Sequence, residues 1–397
     1  MRRGHAAWRY RRERVDGIDV LRCPTWIPAE PSPLKRIAHL TSFALSSCIP
    51  TLWQALRWRP DLVWTVEPTA FAAPNALLAA RLSGARACLH VQDLEIEAAC
   101  ALRMLACAQL QRAVTAAYGW LLRRFDLVST IAEPMRRRLR AHRVAPERLC
   151  RFPNWVDTAA IQPLESTSPL RRALGFDPSD VIVLYAGNMG EKQDLDGLAA
   201  VANRLAGHPA IRLVLCGAGA LRTRLQRLVA GRRHVTLLPL QPRHRLNDLL
   251  NLADIHLLPQ RTQAITFALP SKLGGILASG RPVVAQAEGG EVARAAATGG
   301  IAVAPGDPGA MAAAILMLAA DAERRRELGR AARRFAETHL DRDLVLARYE
   351  RQMVRTAAAR PVTRPPWQRL REAIAARLAG SSAIPCPTPP ATPGGRQ

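Results

Sequence analysis

Lysine is nearly absent from this 397-residue chain: only Lys35, Lys192 and Lys272 are lysines among 56 basic residues, and the rest are arginine. Aromatic residues are equally sparse, at 5%. A formal net charge of +24 invites a nucleic-acid reading, yet no aromatic interrupts the basic run at 135–143, where stacking on bases would need one. Among eight cysteines no pair has C-x-x-C spacing, which excludes the common zinc and thioredoxin-like motifs. Free thiols in this pattern fit a reducing compartment. The N-terminal arginines precede no apolar segment of the secretory type.

One segment, residues 37–56, lacks Asp, Glu, Lys and Arg, but it carries His39, Pro50 and several hydroxyls. It reads as a buried or half-buried helix, or, between Lys35, Arg36, Arg57 and Arg59, as a surface helix dipping into lipid. A membrane-spanning helix is not read there.

Hydrophobic residues make up 49% of the chain, enough for sizeable cores. Apolar strand-like runs alternate with helical patterns, the mark of parallel βαβ units. Strands are expected at 17–23, 61–66, 87–93 and 125–130, then at 181–187, 212–217, 234–239, 253–259, 281–286 and 300–304. Helices are expected at 96–122, 133–143, 193–206, 219–230, 243–252, 271–279, 307–337 and 341–358. The Pro-, Ser- and Thr-bearing stretch near 153–168 reads as a boundary, giving an α/β chain of two doubly wound domains around a cleft. Residues 1–153 form the first domain, 154–168 a linker, 169–340 the second domain and 341–378 C-terminal helices. Residues 379–397 read as a disordered tail.

Two segments carry the chemistry. In VIVLYAGNMGEKQDLDGL a buried strand ends at Gly187, Asn188 and Gly190 before a helix, with Lys192 as a cation for an anion held by free amides. The bland alternative is an ordinary strand-to-helix turn. In LPSKLGGILASGRPVVA, Ser271 and Lys272 open a helix behind Pro270. A lysine there opposes the helix dipole unless an anion is bound. Two of the three lysines thus fall at candidate anion sites about 80 residues apart, a spacing suited to a two-loop clamp on a diphosphate. Asp194 and Asp196 imitate a metal-binding Asp-x-Asp, but two positions apart on a helix they share no face. The run GAGALR places Arg222 where a dinucleotide fingerprint needs its third glycine. The arginines of 135–143 read as a solvated helix face or as a contact for lipid phosphates.

The blocks GNMGEKQDLD, RLVLCGAG, ADIHLLPQR and LPSKLGGILASGRPVVAQAEGGEVA together resemble a retaining GT-B glycosyltransferase of family 4, within the colanic acid biosynthesis group. RVDGIDVLRCPTWIP, LHVQDLEIEAA and RFPNWVD agree in the first half. The resemblance implies two Rossmann-like domains facing a cleft, and transfer of a sugar from a UDP- or GDP-linked donor without cofactor or metal. The acceptor would be a polyprenyl-diphosphate-linked saccharide of exopolysaccharide synthesis, met by a peripheral enzyme on the inner face of the plasma membrane.

The donor would be held by Gly190 and Lys192 on one loop and by Ser271 and Lys272 on the other. Gly217, Gly219, Leu240 and Gln241 would border the nucleoside. Asp93, His90 and Glu95 would face the reacting sugar. Three departures stand out. The family's widespread Glu-x7-Glu carboxylates would fall near Phe267 and Gly275, and neither is acidic; Ala132 stands where serine is usual; and the opening strand and glycine loop of the first domain have no counterpart before Val15. A sugar-nucleotide epimerase of the same fold and an inactive truncated scaffold are the alternative functions.

Overall fold

The computed structural model describes residues 9–28, 32–67, 70–94, 96, 107–165, 167–191, 193–261 and 270–359. A short antiparallel hairpin comes first, β1 (Arg11–Val15) with β2 (Ile18–Arg22), closed by an Asp16-Gly17 turn. The run expected at 17–23 as a parallel βαβ strand is therefore one arm of this hairpin. The Asp-Gly pair between two short strands was the available signal, since both turn residues adopt the positive φ such turns need.

The helix Pro33–Trp58 follows, with Ser32 accepting from the Lys35 amide at 3.3 Å and Pro33 in its first turn. Only one face of it packs on the domain. Leu45, Ile49, Trp53 and Leu56 form an exposed stripe along the other, Ile49 being 77% exposed. Asn75 ties the packed face to the next helix by donating to the Ala44 carbonyl at 2.7 Å.

The first parallel sheet runs β3 (Leu62–Glu67), β4 (Arg86–Val91), β5 (Leu127–Thr130) and β6 (Leu149–Arg151), in that spatial order. Its strands are nearly continuous apolar runs because helices cover a face, with Leu89, Val91 and Val128 buried against Tyr118, Leu122 and Met135. The helix Glu133–Ala141 buries Met135 and Leu139, leaves Arg137, Arg138 and Arg140 exposed, and keeps Arg136 half-buried beside Glu133. Ala132 occupies its N-cap and offers no side-chain bond.

The second sheet contains β7 (Val181–Ala186), β8 (Ile211–Cys216), β9 (Val235–Leu238), β10 (Ile255–Leu258), β11 (Val283–Gln286) and β12 (Gly300–Val303). Its spatial order is β12-β11-β10-β7-β8-β9, all parallel. The order reverses between β7 and β10. At such a switch point the two following loops leave on opposite faces and open a crevice above the carboxyl ends.

The chain then crosses back. Val156 pairs with Leu340 and Arg342 through backbone bonds of 2.8 and 2.9 Å, and Asp341 caps the helix Arg342–Ala358. That helix buries Val345 and Tyr349 against Cys88, Leu127 and Phe152 of the first sheet. Phe152 and Tyr349 stack at 4.0 Å. The last helix among the described residues thus fastens the first domain to the second.

Candidate functional site

The crevice at the switch point is lined by the loop after β7, the loop after β8 and the start of the helix Lys272–Ala278. The first two loops touch backbone to backbone. Gly187 donates to the Cys216 carbonyl at 2.9 Å, Met189 donates to Ala218 at 2.8 Å, and Leu221 donates back to Met189 at 3.0 Å. A Cβ on Gly217 would lie 1.9 Å from the Gly187 oxygen, and φ there is +155°. Gly217 and Gly219 are therefore needed first for this loop-to-loop contact. Met189 is fully buried beneath it, and the Tyr185 hydroxyl donates to the Asn188 carbonyl at 2.6 Å.

Lys272 reaches into the crevice from the opposite side. Its Nζ lies 4.5 Å from the centre of the Tyr185 ring and 3.2 Å from Gln193 Oε1. A Cβ on Gly187 would meet that ammonium at 2.7 Å, so the absent side chain is what lets the cation lie over the strand end. Burial lowers the Lys272 pKa from its usual value to about 8. No carboxylate of a described residue forms an ion pair with it. Nζ is also 3.5 Å from the Tyr185 hydroxyl, so among the described residues neutral groups alone surround it, and such a cation at a strand end has the chemistry to pair with an anion. Ser271 is exposed at the cap of the same helix.

Asp194 accepts from the Gly197 amide at 3.0 Å, capping the helix Leu195–Leu205. Asp196 instead pairs with Arg224 at 3.0 Å and Arg261 at 3.6 Å. The two carboxylates diverge, as their spacing requires. Leu240 and Gln241 follow β9, on the far side of the β8 loop, Leu240 exposed and Gln241 half-buried, with Gln241 Nε2 donating to Pro239 at 3.0 Å.

Sequence reasoning missed Tyr185, Gln193 and Gln286. Gln286, at the end of β11 and 1% exposed, donates to Asp194 at 3.3 Å and accepts from the Gln260 amide at 3.0 Å. It bolts the loop after β10 to the cap of the helix after β7. The only signal was a polar residue at the carboxyl end of a buried strand. Replacing Gln286 with leucine leaves an acceptor and a donor unmatched inside the protein; we expect a loss of about 2 kcal/mol in urea unfolding, with weaker binding of a nucleoside diphosphate.

In the first domain His90 lies on β4 and is 1% exposed. Its Nδ1 is 2.9 Å from Ser129 Oγ, which is 2.9 Å from the Tyr349 hydroxyl, and its Nε2 is 3.0 Å from Gln92 Nε2. Accepting from that amide fixes the tautomer with the proton on Nδ1. Burial lowers its pKa to about 4, so the ring is neutral at pH 7. Asp93 follows the strand and is half-buried. Glu95 and Lys192 lie outside the described residues. The domains meet nearby, where a Cβ on Gly290 would be 3.9 Å from Pro134.

Two Rossmann-like domains, each built on a parallel sheet, have the architecture of the GT-B class of glycosyltransferases. Residues 2–155 match the family model described as Glycosyl transferase 4-like domain, and residues 180–321 match Glycosyl transferases group 1. Over 291 residues the chain is 39% identical to the colanic acid biosynthesis glycosyl transferase WcaI of Escherichia coli (strain K12), covering 72% of this chain and 71% of that protein. The chain belongs to the family 4 GT-B glycosyltransferases, in the colanic acid biosynthesis group. Among solved structures it resembles sucrose-phosphate synthase from Thermosynechococcus elongatus, with a TM-score of 0.70 at 19% identity over 88% of this chain and 86% of that one. Anabaena HepE in complex with UDP-glucose gives 0.62 at 17% identity, over 83% and 84%.

Proposed function

We propose that the chain transfers a sugar from a UDP- or GDP-linked donor, with retention, to a polyprenyl-diphosphate-linked saccharide during cell-surface polysaccharide synthesis. The observation that carries this is Lys272 Nζ poised over Gly187 at the switch point, lacking a carboxylate partner among the described residues. As the glycosidic bond breaks, negative charge builds on the leaving diphosphate. Lys272, with Lys192 and the amides of the 187–190 loop, offsets that charge without a metal. The nucleoside extends past Gly217 and Gly219 toward Leu240 and Gln241. Asp93 meets the sugar or acceptor from the first domain. His90, enclosed and neutral, is a positioning residue that holds the Gln92 amide.

The acceptor's lipid accounts for the exposed stripe of the helix Pro33–Trp58, with Arg36, Arg57 and Arg59 at its ends. Among the described residues no helix is long and apolar enough to cross a membrane, so this stripe dips into the headgroup boundary of the inner leaflet. Ile49→Glu with Trp53→Glu is expected to reduce sedimentation with anionic vesicles about tenfold while leaving donor affinity unchanged. Sedimentation equal to wild type would remove the membrane reading.

The test of the reaction is a screen of UDP-, GDP- and TDP-sugars with a polyprenyl-diphosphate saccharide. NMR of the product reads its anomeric configuration, and chelator insensitivity is the expected sign of metal independence. Product formed with acceptor omitted would instead identify an epimerase. No turnover with any donor would favour the inactive scaffold.

A further inference from the structure

The donor crevice lies at the carboxyl ends of the second sheet. At the opposite pole, where Asp254 and Arg281 precede β10 and β11, lies a cavity of about 890 Å³ that is open to solvent on one side. One wall is the helix Ala322–Phe335, and the floor is Gly280, Arg281 and Pro282. A Cβ on Gly329 would fall 2.2 Å from the Gly280 oxygen, so glycine at mid-helix lets the wall lie directly on the floor.

Arginines dominate the lining: Arg281, Arg325, Arg326, Arg330, Arg333 and Arg334 against the carboxylates Glu165 and Asp254. Two of the six are structural. Arg333 donates to the carbonyls of Ile161, Ala278 and Thr158, and Arg325 to those of Leu318 and Ala319. Of the other four, Arg326 is held by Glu323 through two of its nitrogens, and Arg281, Arg330 and Arg334 are less fully compensated. Arg326, Arg330 and Arg334 stand on successive turns of one helix face, a spacing at which like charges repel. Glu323 serves Arg326 at 2.5 Å and Arg330 at 3.3 Å, and no described carboxylate pairs with Arg334.

At the floor, Asp254 is committed to Arg171 at 3.0 Å and to the Ile182 amide at 2.8 Å. Arg281 shares the Asp254 charge with Arg171, hydrogen-bonds to Asn251 Oδ1 at 3.5 Å, and has its Nε buried without a hydrogen-bond partner. The volume falls within the range of small-molecule sites and exceeds what one phosphate fills. Guanidinium forks match phosphoryl oxygens bidentately.

We propose that this cavity binds a compound carrying two or more phosphoryl groups, at a site separate from the donor crevice. Two sources share that chemistry, a soluble oligophosphate and the diphosphate headgroup of a lipid.

Calorimetric titration of the full chain with tripolyphosphate tests the site in a Lys272→Ala background, where the donor clamp is gone. Binding is expected to persist there, and to weaken at least tenfold when Arg330→Ser and Arg334→Ser are added. Both positions are exposed, so the thermal midpoint should hold. Removing two charges elsewhere, by Arg227→Ser with Arg348→Ser, both exposed and remote in sequence from the cavity lining, should leave affinity unchanged. Equal losses in the two double variants, no loss in either, or no binding once Lys272 is replaced would each overturn the proposal. Vesicles of neutral lipid with and without a polyprenyl diphosphate separate the sources: a headgroup-dependent gain in sedimentation that is lost in the Arg330/Arg334 variant assigns the lipid headgroup, and no such loss alongside lost tripolyphosphate binding assigns a soluble ligand.

Discussion

Lys272→Ala is expected to weaken nucleoside-diphosphate binding about 100-fold, equivalent to ~3 kcal/mol, the upper range for a charge-assisted hydrogen bond. Stability should not fall with it. Lys272 is desolvated, contacts the Tyr185 ring and hydroxyl and one amide oxygen, and burial opposes its charged form. Calorimetry on folded protein checks this; affinity unchanged from wild type would remove the clamp.

The same lysine sets a pH dependence. Below its pKa of about 8 the ammonium is present in the free protein and the anion binds fully. As pH rises through about 8, affinity should decline, because the proton must be restored on binding. For stability the sign is opposite. The folded pKa lies below the unfolded value of 10.5, so the unfolded chain binds more protons between about 8 and 10.5. The burial penalty is complete below pH 8 and fades as pH climbs through that window. Lys272→Arg, always charged, should flatten the affinity profile.

Gly217→Ala is the second large effect, and it acts on the fold. The added methyl would be placed 1.9 Å from the Gly187 carbonyl oxygen, a backbone atom fixed by its own strand, at a φ of +155° that alanine resists. Both loops must separate, breaking the Gly187–Cys216 and Met189–Ala218 bonds. A loss of about 3–5 kcal/mol is expected, lowering the thermal midpoint by roughly 10 °C. Donor binding falls too, since the displaced loop is the one that carries Gly187 and Gly190. A midpoint within about 2 °C of wild type would show that the loops can separate freely, and that the contact is not needed.

The parallel strands of both sheets were legible because a strand buried on two faces is a continuous apolar run, as in VIVLYA and RLVLC. Residues 18–22 misled for the same reason in reverse. IDVLR has the composition of a sheet strand, and only its partner shows that it closes a hairpin with Arg11–Val15. Lys272 stood out because lysine is rare here. Tyr185 and Gln286 did not, since a tyrosine in a buried strand and a glutamine at its end carry no period or spacing of their own. Their roles arise from residues 87 and 92 positions away. His90 was legible as a polar residue in an apolar strand, but its enclosure by Phe152 and Tyr349 depends on a helix more than 250 residues downstream.

By itself the sequence determined the alternation of strands and helices, the two-domain α/β class and the pair of glycine- and lysine-bearing loops. These follow from local periodicity and from the limited set of residues that tolerate tight turns. The tertiary structure alone decided that β7 and β10 are neighbours, which opens the crevice and brings Lys272 over Gly187. It also decided that the helix after Asp341 returns to seal the first domain, and that six arginines spread between 281 and 334 line one cavity. Strand order, crossover and helix docking are set by which buried surfaces fit together, and no single stretch of chain contains that information.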